Sequence, residues 1–148
     1  MIQGIILDWG RTLWDQENNQ LFPETIQVLN YLSKKYRLSL VSICTREPIS
    51  VRLKKIQDFG FDSLFEAVLI DPESKEHLLD SAFEKFQLNP SEVAVVGDRM
   101  IREIAWGNQK GCTTIWIQKG KFANDPPNQD TGQPTHTVHN LAGVLNLL

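Results

Sequence analysis

Short runs of Val, Ile and Leu alternate along this chain with segments of helical period, from the first residues to about residue 118. Continuous apolar runs of this length mark strands buried on both faces, as in parallel sheets. The candidates are IQGIILD at 2–8, RLSLVSI at 37–43, AVLI at 67–70, EVAVVG at 92–97 and TTIWIQ at 113–118. Between the first two, Pro23 suits a first helical position, and Ile26, Leu29, Leu32 and Tyr36 fall on one helical face. A second helix is predicted over 48–59, with Val51, Ile56 and Phe59 inward and Gly60 ending it. The clearest helix spans 75–87, where Leu78, Leu79, Ala82, Phe83 and Phe86 form one stripe behind Ser74 as N-cap. NPSE at 89–92 turns the chain, and a further helix follows from Met100 to Lys110. This repetition predicts an α/β fold of the three-layer, Rossmann-like kind: a five-stranded parallel sheet with helices on both faces. The polar stretches up to Phe22 and from Lys119 to Pro134 read as loops. A short helix near 139–147, with Leu141, Val144, Leu145 and Leu148, is expected to close the domain.

Composition narrows the class. The 148 residues (16.9 kDa) suffice for one domain, 1–148, and are too few for two ordinary ones. With 41% hydrophobic and 22% charged residues, the chain has the proportions of a globular protein. A net charge of −3 gives no electrostatic case for nucleic acid. No apolar stretch approaches the roughly 18 residues a membrane span needs. The first strand has no basic flank or cleavage site before it, so the expected location is cytoplasmic. Cys44 and Cys112 show no metal-ligand spacing and read as buried, inert thiols. His77, His136 and His139 show no ligand pattern either. The four tryptophans are expected to pack, with Trp9 or Trp14 as a candidate to line a substrate entrance. Nothing in the pattern fixes an oligomeric state.

The chemistry gathers at strand ends. Three of the apolar runs stop on oxygen-bearing side chains, Asp8, Ser42 and Asp98. Open α/β sheets bind ligands outside the carboxyl ends of their strands, so these three are expected to share one crevice. Two carboxylates and a hydroxyl pack poorly but suit a divalent cation and a phosphate.

These residues resemble the motifs of the haloacid dehalogenase (HAD) superfamily. DWGRTL at 8–13 is similar to its first motif, D-x-D-x-T-L after an apolar strand. LSLVS ending at Ser42 resembles the second, a strand closed by Ser or Thr, and SKEHLL with Lys75 resembles the third, a lysine opening a helix. VVGDRMIREI at 95–104 resembles the fourth, in which a G-D pair is followed five residues later by another acid, here Glu103. WGNQKGCTTIWI fits the passage into the last strand, so the resemblance covers about residues 2–118.

What the resemblance implies is a Mg²⁺-dependent phosphohydrolase. Asp8 would attack phosphorus and carry an aspartyl-phosphate, Ser42 would donate to a phosphoryl oxygen, and Lys75 would neutralise charge and hold Asp8 ionised. The cation would be held by Asp8, the Gly10 carbonyl, Asp98 and Glu103. The chain departs from the family pattern at Gly10, where a second Asp normally protonates the leaving group and activates water. General acid-base catalysis of that kind is worth roughly 10² to 10⁴ in rate, so acyl and aryl phosphates should suffer least. Asp15 is the nearest substitute acid, its direction open. DWGRT also resembles phosphonate-cleaving members, but those use a lysine from a cap domain, and only about thirty residues separate Asp8 from Ser42. The spacing therefore implies no cap domain and an open site for a small phosphorylated substrate or a phosphorylated macromolecule.

Blander readings compete at each position. Asp8 alone would serve as a turn residue and Lys75 as a solvated helix residue; Ser42 has a rival in Thr45, and Glu103 suits an exposed helix face. The alternative function is a catalytically impaired domain of the same fold that binds a phosphate ligand or a protein partner. A phosphoacceptor of the response-regulator receiver type is disfavoured, because WIQKGK lacks the lysine-proline pair and no acidic pair follows the first strand.

Overall fold

The GIILD segment forms β1 (Gly4–Asp8), buried along its whole length. A computed structural model describes residues 1–148. After β1 the chain makes a small hairpin, β2 (Trp14–Asp15) and β3 (Gln20–Leu21), then α1 (Thr25–Ser33) and β4 (Arg37–Ile43). Next come α2 (Ile49–Asp58), β5 (Ala67–Asp71), α3 (Lys75–Phe86) and β6 (Val93–Gly97). A π-helical turn, Met100–Ile104, leads into α4 (Ala105–Lys110), followed by β7 (Thr113–Ile117) and β8 (His136–Val138). The main sheet runs in the order β5-β4-β1-β6-β7-β8, with every pairing parallel.

Pleating divides the apolar residues between two layers. Ile5, Leu7, Leu38, Leu40, Ala94 and Val96 pack against Val28, Leu29 and Leu32 of α1, Ile56 of α2 and the C-terminal Leu141 and Val144. On the other face Ile6, Val41, Val93 and Val95 meet Leu78, Leu79, Ala82 and Phe86 of α3 and Trp106 of α4. Each fully buried Val, Leu, Ile or Phe among them contributes about 1.5–3 kcal/mol. The chain works outward from β1 to β5, then returns to the other side of β1 at β6. That reversal opens a crevice at the carboxyl ends of β1 and β6, the usual ligand position in a doubly wound sheet.

The structure corrects the expected elements in several places. The sheet has six strands rather than five, because His136–Val138 adds to β7 at the edge. Three residues after a proline carry no periodicity to betray a strand. The hairpin lies where a loop was expected, for the same reason of length. Ile26 is 51% exposed, since the buried stripe of α1 is Thr25, Val28, Leu29 and Leu32. Val51 and Phe59 are 45% and 41% exposed, because α2 lies toward the β5 edge and only Ile56 is covered. The C-terminal turn, Leu141–Asn146, is a 3₁₀ helix. Only the hairpin and α1 separate β1 from β4, and only α2, a short turn and β5 separate β4 from α3, so neither connection carries a cap domain.

Candidate active site

Strand parity decides which side chains meet at the crevice. Asp8 follows Ile6 by two residues and so leaves β1 on the α3 face. Lys75 opens α3 there, and its ammonium pairs with Asp8 and reaches Glu103 Oε1 at 3.1 Å. The turn that presents Lys75 is pinned at both ends. Asp71 accepts from the backbone N–H groups of Glu73 (2.7 Å) and Ser74 (2.9 Å), and Ser74 Oγ accepts from the N–H of His77 at 3.3 Å, the expected N-cap.

Asp98 follows β6, and the Trp116 indole N–H donates to its carbonyl at 2.9 Å. Glu103, in the π-helical turn, folds back over Gly97. A Cβ at position 97 would lie 2.8 Å from Glu103 Cγ, which gives the G-D pair before an acid a steric cause. The carboxylates of Asp8, Asp98 and Glu103 are all buried, and their oxygens lie within 4.8 Å of one another.

Such a cluster is short of positive charge. Burial first, then the charges of Asp8 and Glu103, push the Asp98 carboxyl up to about 8. Burial also raises Glu103, with Lys75 only partly offsetting it. For Lys75, burial pulls the ammonium down, but Asp8 and Glu103 outweigh it and hold its pKa above the ordinary value. Asp98 Oδ2 and Glu103 Oε2 are buried without a hydrogen-bond partner. Orphaned carboxylate oxygens in a hard, all-oxygen donor set fit a divalent cation of the Mg²⁺ type.

The cluster floors a cavity of about 240 Å³ whose rim is strongly cationic: Arg11, Arg46, Arg52, Arg99, Arg102 and Lys121 line it with Lys75. None of these arginines stands out in the sequence, where a charged residue beside a turn usually reads as solvated surface. Arg99 and Arg102 do flank the fourth-motif acids, which was the available signal. Ser42 is placed differently from the motif expectation. Val41 is the register partner of Asp8 and shares its face, so the pleat sends Ser42 to the opposite face, toward α2. There its hydroxyl, 1% exposed, accepts from Arg52 Nη1 at 2.6 Å, while Arg52 Nε donates to Glu47 at 2.6 Å. Arg52 lines the cavity and Ser42 stands behind it; Thr45 also reaches the lining.

The hairpin supplies the remaining wall. Gly10 lines the cavity, and a Cβ built there would meet only Gln16 Oε1, at 3.2 Å. Gln16 thus occupies the neighbourhood in which a second carboxylate would project. Asp15 does not replace it: its carboxylate accepts from Asn18 Nδ2 at 2.8 Å, a bond that lowers its pKa, and it lies outside the lining. Arg11 holds φ 61°, a left-handed conformation costing a residue with a Cβ about 1–2 kcal/mol. Its N–H donates to the Trp14 carbonyl at 2.8 Å and its guanidinium to Glu17 at 2.9 Å, which fix the turn. Trp9 and Trp14 stack on each other inside the core, 5.6 Å apart, and neither lines the cavity.

The family model for haloacid dehalogenase-like hydrolases matches residues 3–108, and a second, described as HAD-hydrolase-like, matches 73–144. The chain belongs to the haloacid dehalogenase-like hydrolase family. A glyceraldehyde 3-phosphate phosphatase from Pyrococcus furiosus is 32% identical over 75 residues, 47% of this chain and 31% of that protein. The mitochondrial phosphatidylglycerophosphatase GEP4 of Saccharomyces cerevisiae is 25% identical over 126 residues, 80% of this chain and 68% of that one. The chain spans about half or less of the length of the first curated relatives it matches. Among solved structures, the HAD-hydrolase YfnB of Bacillus subtilis, bound to magnesium, superimposes with a TM-score of 0.71 at 19% identity, over 89% of this chain and 58% of that one. Its likeness carries the fold, including the parallel sheet and flanking helices of this haloacid dehalogenase-like chain. No helix is long and apolar enough to cross a membrane.

Proposed function

We propose that this hydrolase is a Mg²⁺-dependent phosphohydrolase that works through an aspartyl-phosphate on Asp8. The observation that carries the reading is the partnerless Asp98 Oδ2 and Glu103 Oε2 beside Asp8, under a cationic cavity. Asp8, Asp98, the Gly10 carbonyl and Glu103 would hold the cation. When bound, it offsets carboxylate charge and so lets a phosphate dianion approach Asp8. Lys75 pairs with Asp8 and orients its carboxylate. An Asp8 oxygen bonds to phosphorus as the ester or acyl oxygen leaves with the bonding electrons. Water then displaces Asp8, releasing inorganic phosphate and restoring the carboxylate. Arg52 holds a phosphoryl oxygen, and Ser42 acts as its positioning residue together with Glu47.

With no acid at Gly10 the departing oxygen must take its proton from solvent, so acyl and aryl phosphates are the favoured leaving-group classes. The test is Mg²⁺-dependent phosphate release from acetyl phosphate and an aryl phosphate by wild type, Asp8→Asn and Gly10→Asp. Release that requires Mg²⁺, disappears in Asp8→Asn and rises in Gly10→Asp is the expected result. The wall formed by Gly10 and Gln16 favours a second reading, a retired site that binds phosphate ligands or a protein partner. Release seen only in Gly10→Asp would establish that reading instead.

A further inference from the structure

The cavity holds more positive charge than one phosphoryl group uses. Seven of its lining side chains are cationic and three are carboxylates, on a chain of net charge −3. Lys75 is engaged by Asp8 and Glu103, Arg52 by Glu47, and Arg11 by Glu17. Arg46, Arg99, Arg102 and Lys121 make no ion pair.

The cations also divide by topology. Arg46 and Arg52 follow β4, on one side of Asp8, whereas Arg99 follows β6 and Lys121 follows β7, on the other. Phe122 organises this second group: the Arg99 guanidinium lies 4.3 Å from its ring centroid, with Arg11 at 5.4 Å and Lys121 at 5.5 Å. Stacking fixes the plane of a guanidinium and leaves its N–H edge free for an anion. Arg99 Nε is buried and donates to nothing. Its guanidinium charge is thus left uncompensated, a cost that an anion in the cavity beside it lowers. The only apolar side chains in the lining are Ile43 and Phe122, and Phe122 is flanked by cations. An acyl chain finds little apolar surface here.

We propose that the cavity takes a small phosphomonoester carrying a second phosphate, which binds Arg99 and Lys121 beside Phe122 while the scissile phosphoryl group sits at Asp8. The scissile half of this assignment rests on the phosphohydrolase reading; the second subsite rests on the cations alone. The test uses the wild-type protein, saturating Mg²⁺ and phosphonates that cannot be hydrolysed. Propane-1,3-bisphosphonate and pentane-1,5-bisphosphonate are titrated calorimetrically against propylphosphonate and pentylphosphonate. At least one bisphosphonate is expected to bind about tenfold or more tightly than its monophosphonate, the yield of one added charge-assisted contact. Arg99→Gln and Lys121→Gln, on separate elements, are each expected to lower that ratio severalfold. A ratio near one for both chain lengths, or a ratio that neither variant lowers, overturns the proposal. Because no turnover is involved, an intact ratio in a protein that releases no phosphate from any ester counts against the phosphohydrolase reading alone.

Discussion

On the α3 and β6 side of the cavity, Asp8, Lys75, Asp98 and Glu103 form a buried set of ionisable groups in which every side chain is within reach of another. On the hairpin side, Gly10 and Gln16 present no titratable group to the same space. The first wall offers an all-oxygen donor set beside a lysine; the second offers no acid or base. On the proposed mechanism, binding and nucleophilic attack would be separable from leaving-group protonation, and each wall could be altered without rebuilding the other.

The largest effect is expected at the charged wall. Lys75→Met keeps the length of the side chain but leaves Asp8 and Glu103 facing each other without their cation. Breaking a buried pair by removing one partner costs about 3–5 kcal/mol. Metal-free Lys75→Met should therefore show a large loss in denaturant midpoint together with loss of any phosphatase activity. A variant of wild-type stability would mean that the two walls do not differ as described.

Next in size is Gly10→Asp. Gln16 Oε1 is the end of a flexible side chain, so the 3.2 Å approach can be relieved without moving backbone. The variant is expected to raise turnover of an alkyl phosphate by about 10² or more and that of acetyl phosphate far less, since only the alkyl leaving group needs the proton. Equal gains on both substrates would show that the new carboxylate acts on the shared step, attack of water on the aspartyl-phosphate, and not on leaving-group protonation.

Much of the charged wall was legible in the sequence, because each member sits at a strand end or helix start within a spaced motif: Asp8, Lys75, the Gly97-Asp98 pair and Glu103. Five of the six parallel strands were legible as continuous apolar runs, whereas β8, three residues long, was not. Nor was the cationic rim. Arg46 and Arg52 follow β4, Arg99 follows β6 and Lys121 follows β7, and only the sheet order brings these three connections round one cavity. Ser42 shows a subtler limit: its place in the motif was visible, but which face of β4 it takes depends on its register against β1. Gln16 and Phe122 belong to a short hairpin and a single turn, which have no period to read.

A smaller effect sharpens the metal side of the comparison. Asp98, raised to about 8 from an ordinary 3.8, keeps its proton in the folded metal-free chain over a range where the unfolded chain has released it. A raised carboxylate pKa makes stability fall as pH rises through that window, from about 4 to about 8, with no further change from this group above it. On the proposed reading, Mg²⁺ would compete with that proton. Its stabilisation of the fold, read as the rise in Tm at fixed Mg²⁺, is therefore expected to be larger at pH 8 than at pH 6. Equal rises at the two pH values would place the cation away from Asp98.

The smallest effect tests the second wall for vestigial structure. If Gln16 merely fills the space beside Gly10, truncating it in the wild type should alter little, while in Gly10→Asp it should relieve the 3.2 Å contact and free the new carboxylate to turn. The coupling would then appear as a further gain of about threefold in Gly10→Asp/Gln16→Ala that Gln16→Ala does not show alone, a non-additivity of the size expected for residues in contact. If Gln16 instead orients the attacking water, Gln16→Ala alone should slow breakdown of the aspartyl-phosphate, so that the covalent species accumulates in a rapid-quench experiment with acetyl phosphate. The amide would then do on the second wall a part of what the missing carboxylate does: it can align water, but it cannot take its proton.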